Sequence, residues 1–532
     1  MLQTSLQTVD NSRLTVLFRL ALPSVLIAIT LLTPLPDVWA ETIERPDNAT
    51  ALVQTNEGTV EGLVTQSSQV FLGIPYAAPP TGERRWQPPH EVEQWSGVRQ
   101  AKEFGAACPQ PTLHGLIPNH RSLGEDCLTL NVAAPIDAKE LPVMVIIHGG
   151  GMVAGSGEYN FALAPILNAE GIVLVTLNYR LSSLGFFAHP QLDGSQGVNF
   201  GLMDMLASLR WINRNIRAFG GDPDQVTIVG VSAGAMSVNM LMANPASAGL
   251  ISGGIAQSGY GTWPLQPRTK QVTSLANAPS AEAIALELAS RATGKPSDKV
   301  TSKDLYAVTA EQWTSTVQGF HLPIIDGISQ IEESGVLFAQ GKQNPVPFIS
   351  GGTSFDGSVL GISGVSQKDL LAITKGQSER MRQLWAKDFA VSDEQGFSRF
   401  FGDLRYVYAA QNMTGSMQQV ERPAYLYMFE YVAPEQRDQV PGAVHAADQE
   451  TMWTKFNLPI AATMRDYWIN FVKTGNPNGT GLPSWPAVTE SKSTVWMVFG
   501  DNATQKDNIH AEKMAFIDEL WRARVAPLLA PQ

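Results

Sequence analysis

The chain has 532 residues, 44% of them hydrophobic and 16% charged, which is enough length and apolar content for a large buried core. A formal net charge of -12 and the lack of any basic run argue against a nucleic-acid binder. Neither a Cys-x-x-Cys pair nor a His-Glu-x-x-His motif occurs, so nothing in the sequence calls for a metal or an organic cofactor.

Residues 1–40 read as a cleaved export signal. Arg13 and Arg19 give the positive end, Leu20 to Leu32 the apolar stretch, and Val38-Trp39-Ala40 a cleavage site before Glu41. The apolar stretch is short for a bilayer span of roughly 20 residues, and no later stretch is long enough to serve as a stable membrane anchor. The remaining chain, 41–532, is expected to be one domain, periplasmic or secreted. The two cysteines, Cys108 and Cys127, either pair, as export would allow, or stay as buried free thiols.

Short antiparallel strands are expected first, from the alternation and glycine punctuation of Val53 to Val64 and Val70 to Ile74. Leu141 to Ile147 is apolar at nearly every position and ends in His148-Gly149-Gly150-Gly151. A run without alternation fits a strand covered on both faces. Ile172 to Leu177 is a second such run, with a short crossover helix between them at Leu163 to Ala169. A helix over Leu202 to Phe219 precedes a third run, Val226 to Val229. Further strands are expected at Ile251–Ala256, Val346–Ser350 and Ala424–Phe429. Strands alternating with helices predict an α/β fold with a mostly parallel sheet. Long inserted segments fall between about 270 and 345 and between 360 and 420.

The third run opens into Gly230-Val231-Ser232-Ala233-Gly234 and a helix-like stretch, Ala235 to Met242. Strand, sharp turn and helix form the context of a nucleophile elbow, which makes Ser232 the candidate nucleophile. On this fold the order along the chain is serine, acid, histidine. His445 lies in a glycine-marked loop after the strand at 424–429, whereas the rival His510 lies in a tail segment that reads as a surface helix. Asp356 follows the strand at 346–350, where the strand C-termini of an open parallel sheet carry the active site. Its rival, Asp326, sits in a turn-like Ile-Asp-Gly. The amides of Gly150, Gly151 and Ala233 are the candidate oxyanion hole.

At this point the chain resembles the type-B carboxylesterases, the family of bacterial esterases, animal carboxylesterases and cholinesterases. Phe219-Gly220-Gly221-Asp222-Pro223 through Gly234 is similar to the family's serine signature, and Glu125-Asp126-Cys127-Leu128-Thr129-Leu130-Asn131-Val132 to its second. Phe71 to Ala77, Arg85-Trp86, Asn178-Tyr179-Arg180 and Trp468 to Phe471 resemble others. The resemblance covers about residues 50–500. It implies an α/β-hydrolase fold, the triad above, a Cys108–Cys127 disulfide and a pocket lined partly by the loop that this bond closes.

Three departures bear on the substrate. The triad acid of the family is usually Glu, and here it is Asp356. The residue before the nucleophile is usually Glu, and here it is Val231, which removes a negative charge. The Cys108–Cys127 loop has no tryptophan to serve as a quaternary-ammonium platform and carries His114, His120 and Arg121 instead. These residues and Ser258, in Gln257-Ser258-Gly259, are the candidate pocket positions. The expectation is a serine esterase that is not a cholinesterase and accepts esters bearing a carboxylate. A lipase-like or amide-cleaving hydrolase would use the same machinery. An inactive, cholinesterase-like binding protein would be expected to lack the serine or histidine that this chain keeps.

Overall fold

The computed structural model describes residues 49–111, 122–270, 278–488 and 494–529. The expected signal at 1–40 and the residues His114, His120 and Arg121 lie outside them. Among the described residues no helix is long and apolar enough to cross a membrane.

Strands β1 (Thr50–Gln54), β2 (Thr59–Val64), β3 (Ser68–Pro75), β4 (Val98–Gln100) and β5 (Thr129–Pro135) come first in the chain. They are followed by β6 (Leu141–Ile147), β7 (Val173–Leu177), β8 (Gly221–Val231) and β9 (Gly253–Gln257). Strands β10 (Gln266–Pro267) and β11 (Ile324–Ile325) pair only with each other. Strands β12 (Phe348–Thr353), β13 (Ala424–Phe429), β14 (Val495–Phe499) and β15 (Ala503–Asp507) complete the set.

All but β10 and β11 form one 13-stranded sheet in the order β1-β2-β3-β5-β7-β6-β8-β9-β12-β13-β14-β15, with β4 beside β2. From β7 to β14 every neighbour pair is parallel. The β1-β2-β3-β5-β7 end is antiparallel, as is the closing β14–β15 pair. Crossover helices make the parallel block possible, because parallel neighbours need a long return connection.

The unbroken apolar runs are explained by coverage on both faces. On β6, Val143, Val145 and Ile147 enter one core, and Met144 and Ile146 enter the other. The first core is closed by the helices Phe200–Asn215 and Ala233–Met242, through residues such as Leu202, Leu209 and Met236. The second is closed by Ala164–Ala169 and Pro459–Thr474, through Leu167, Trp468 and Phe471.

Strand β8 starts earlier than its apolar run, because Gly221 already pairs with Leu141. The expected inserted segments are largely helical. One of them holds a π-helical turn, Asp403–Val407, between the helices Asp393–Gly402 and Tyr408–Ser416. Cys108 and Cys127 form a disulfide across 19 positions of sequence.

Candidate active site

Strand β8 ends at Val231, and the helix Ala233–Met242 begins two residues later, so Ser232 must make the whole turn. Its backbone sits at φ 58°, ψ -121°, a conformation that costs an L residue on the order of 1–3 kcal/mol. The surroundings hold it there. Its N–H donates to Gln257 O at 2.8 Å, and its own carbonyl accepts from Met236 N–H at 2.9 Å.

The flanking glycines are dictated by close backbone approach. A Cβ on Gly230 would stand 2.3 Å from the Gly234 carbonyl carbon, and one on Gly234 would stand 2.1 Å from Ile147 O. Neither distance can be met by a side chain. Ser232 is left 9% exposed, so its hydroxyl is sheltered from bulk water but not sealed in.

The glycine run after β6 folds back on the same turn. A Cβ on Gly149 would lie 2.7 Å from Val231 O and 3.4 Å from Ser232 Cβ. Gly150 and Gly151 have φ of 103° and 64°, which side-chain-bearing residues rarely adopt. The Gly150 and Gly151 carbonyls are occupied, by the Val153 and Ala154 amides and by the His321 amide. Their N–H groups donate to no protein acceptor among the described residues, and neither does that of Ala233. Ala233 is also the first residue of its helix, where the dipole favours negative charge. Bare amides at a helix start beside a hydroxyl can hold a developing oxyanion.

Strands β9, β12 and β13 deliver the other groups to the same edge. Phe355 N–H donates to Ala443 O at 2.7 Å, and His445 N–H donates to Ser358 Oγ at 3.0 Å. These bonds tie the loop after β12 to the loop after β13. In consequence His445 Nδ1 lies 2.5 Å from Asp356 Oδ1. The other Asp356 oxygen accepts from Ser258 Oγ at 2.8 Å and from Thr353 N–H at 2.9 Å.

The Asp356 side chain is completely buried and that of His445 nearly so. His445 Nε2 is buried with no partner. The ring is steadied on one side by Tyr406, with centroids 4.8 Å apart. No direct hydrogen bond joins Ser232 Oγ to His445 Nε2 among the described residues; such contacts commonly tighten only when substrate is bound.

The other sequence candidates fall elsewhere. Asp326 is a turn-builder: its carboxylate accepts from the amides of Val198, Ile328, Ser329 and Gln330. His510 is exposed and opens the helix Ala511–Leu529, its carbonyl accepting from Met514 N–H. Ser258 is fully buried with its hydroxyl on Asp356, so it supports the acid and does not line a pocket. Val231 is half-buried at the end of β8.

Two buried groups near the site went unread in the sequence as titratable neighbours. His148 opens the glycine loop and stacks on Tyr179, with centroids 4.4 Å apart. Burial pushes its imidazole down to about 4, so the ring is neutral at pH 7. Asp448, in the helix after His445, accepts from Tyr427 Oη at 2.6 Å and Gln257 Nε2 at 3.1 Å. Desolvation still raises its carboxyl above the usual range. Its signal was the short spacing to His445, but its partners come from β9 and β13.

An open sheet with a parallel centre, a strained serine at a strand-to-helix turn, and an acid and histidine from later strand ends define an α/β-hydrolase. The chain belongs to the carboxylesterase family, whose model matches residues 49–517. It is 32% identical to the mouse (Mus musculus) pyrethroid hydrolase Ces2a, over 84% of this chain and 87% of that one. It is 29% identical to the para-nitrobenzyl esterase of Bacillus subtilis (strain 168), over 87% of this chain and 97% of that one. A solved thermophilic PNB esterase superposes with a TM-score of 0.75 at 28% identity, covering 88% of this chain and 100% of that chain. The protein is therefore a carboxylic ester hydrolase.

Proposed function

We propose that this enzyme is an exported serine esterase that works through Ser232, His445 and Asp356. The observation that carries the reading is the 2.5 Å contact between His445 Nδ1 and Asp356 Oδ1, with Nε2 left unpartnered. An imidazole held at one nitrogen and free at the other suits a general base.

Ser232 Oγ attacks the ester carbonyl as His445 Nε2 takes its proton. Asp356 keeps the ring in the required tautomer and stabilises the imidazolium. The amides of Gly150, Gly151 and Ala233 receive the oxyanion. His445 then protonates the departing alcohol. Water, activated by the same imidazole, releases the acid and restores Ser232.

Val231 stands where the family usually places a carboxylate, so nothing at that position attracts a cation or repels an anion. The enzyme is accordingly not a cholinesterase, and esters carrying a carboxylate are accepted. Export is supported by the pattern of residues 1–40 and by the disulfide, which persists in oxidising compartments. The test is a rate panel of neutral, cationic and anionic esters, run on the wild type and on Ser232→Ala. All ester cleavage is expected to vanish in the variant. Preference for choline esters would overturn the substrate assignment.

A further inference from the structure

Beside the glycine loop lies a cavity of about 340 Å³. It shares a wall with the candidate oxyanion hole. Phe320 and His321 line it, His321 N–H donates to Gly151 O at 2.8 Å, and a Cβ on Gly151 would stand 2.4 Å from the Phe320 ring. Trp263 and Arg405 also line it.

Arg405 is the unusual group. It is only 1% exposed, yet its Nε and Nη2 have no acceptor, and it forms no ion pair among the described residues. Its guanidinium lies over Tyr260 at 4.2 Å and Trp263 at 4.6 Å from the ring centroids. Ring faces attract the charge and the Tyr260 and Tyr406 hydroxyls lie beside the guanidinium, but Nε and Nη2 keep donors without a well-aligned acceptor. A buried cation without an anionic partner is costly, and pairing it with a carboxylate answers both charge and donors.

The other charges on this wall are already engaged. Asp369 is held by the Ser366 hydroxyl and amide at its helix start. Arg291 pairs with Glu287 and donates to Thr316 O. His321 is buried, which lowers its pKa and keeps it neutral, and its Nε2 faces Phe186 O at 2.8 Å.

Arg405 is also tied to the reaction centre. It sits on the π-helical turn Asp403–Val407, a feature that often marks functional sites. Its neighbour Tyr406 packs on His445. Gly402, which leads into the turn, is pressed against the loop of Asp356, since a Cβ there would stand 2.3 Å from the Gly357 amide nitrogen.

Resting on the serine-esterase reading above, we infer that this cavity is a carboxylate subsite. Arg405 binds the free carboxylate of an ester substrate, as in a half-ester of a dicarboxylic acid. The carboxylate can belong to the acyl part or to the alcohol part, and two substrate arms separate these. The first compares monoethyl succinate, glutarate and adipate with the ethyl esters of the corresponding monoamides. The second compares the butyryl ester of glycolic acid with that of glycolamide.

On at least one arm the wild type should favour the acid over its uncharged amide by about tenfold or more in kcat/KM, as a bidentate guanidinium–carboxylate pair provides. In Arg405→Met that ratio should fall by about 30-fold or more, and Arg405→Lys should lie between. A wild type that shows no preference on either arm overturns the inference, and so does an Arg405→Met enzyme that keeps the preference. If Arg405→Met does not fold, inhibition of the wild type decides: glutarate should compete with substrate and glutaramide should not, and equal weakness of both overturns the subsite. Cleavage of ethyl butyrate separates this outcome from the underlying reading. If that reaction is lost in Ser232→Ala but no anion preference exists, only the subsite fails; if it survives in Ser232→Ala, the triad fails.

Discussion

His445 and Asp356 meet at 2.5 Å across 89 positions of sequence, brought together by loops that follow adjacent parallel strands. The second Asp356 oxygen is fixed by Ser258 Oγ and the Thr353 amide. The acid is therefore clamped, and it can orient the imidazole only as long as it remains an acceptor. Asp356→Asn should lower kcat by on the order of 10³-fold or more with little change in KM, because the amide favours the wrong tautomer. Steady-state kinetics on a neutral ester, with a melting curve to show an intact fold, checks this. A loss of less than about tenfold would contradict an orienting role.

Gly151→Ala should lower kcat by about 100-fold, the scale of a displaced oxyanion donor. The new methyl would collide with the Phe320 ring at 2.4 Å, on a backbone with φ of 64°. The loop must shift, and its amide moves with it. Kinetics should show a fall in kcat larger than any rise in KM.

Two-sided burial made most of the central strands legible. The runs at 141–147 and 172–177 needed no partner information, because a strand covered on both faces is apolar throughout. Strand β5 carries Thr129 and Asn131 between its apolar residues and was noticed only as a motif. Strand β15 is polar and mostly exposed and carries no such signal; β14 is apolar and buried on both faces, with Trp496 and Val498 in one core and Met497 and Phe499 in the other, and is not among the strands named from the sequence. Within the site, the elbow and the glycine run carry local signals. The π-helical turn carries none: Arg405 and Tyr406 owe their positions to rings and backbone far away in the chain, at Tyr260, Trp263 and Gly357.

His148 makes stability depend on acidity with a definite sign. Its folded pKa is about 4 against an ordinary 6.5, so between these values the unfolded chain binds a proton that the folded chain does not. Stability from this group is therefore complete above pH 6.5 and is lost as the pH falls towards 4, by at most about 3 kcal/mol. Denaturant unfolding at pH 7 and pH 4.5 should show a smaller acid loss in His148→Gln than in the wild type. Equal losses would contradict this account.

The disulfide closes a loop of 19 positions, and removing it should cost about 3 kcal/mol on the chain-entropy model. Replacing Cys108 and Cys127 together with serine should lower the denaturation midpoint accordingly. An unchanged midpoint would mean that the loop is held by its packing alone.

If Ser232 is the nucleophile, it carries the acyl group during turnover. Rapid acid quenching during turnover of a slowly deacylated aryl ester, followed by peptide mapping by mass, tests it directly. One acyl group per chain is expected, located on Ser232 and absent from Ser232→Ala. An acyl group on another residue, or full hydrolysis by the Ser232→Ala enzyme, would contradict it.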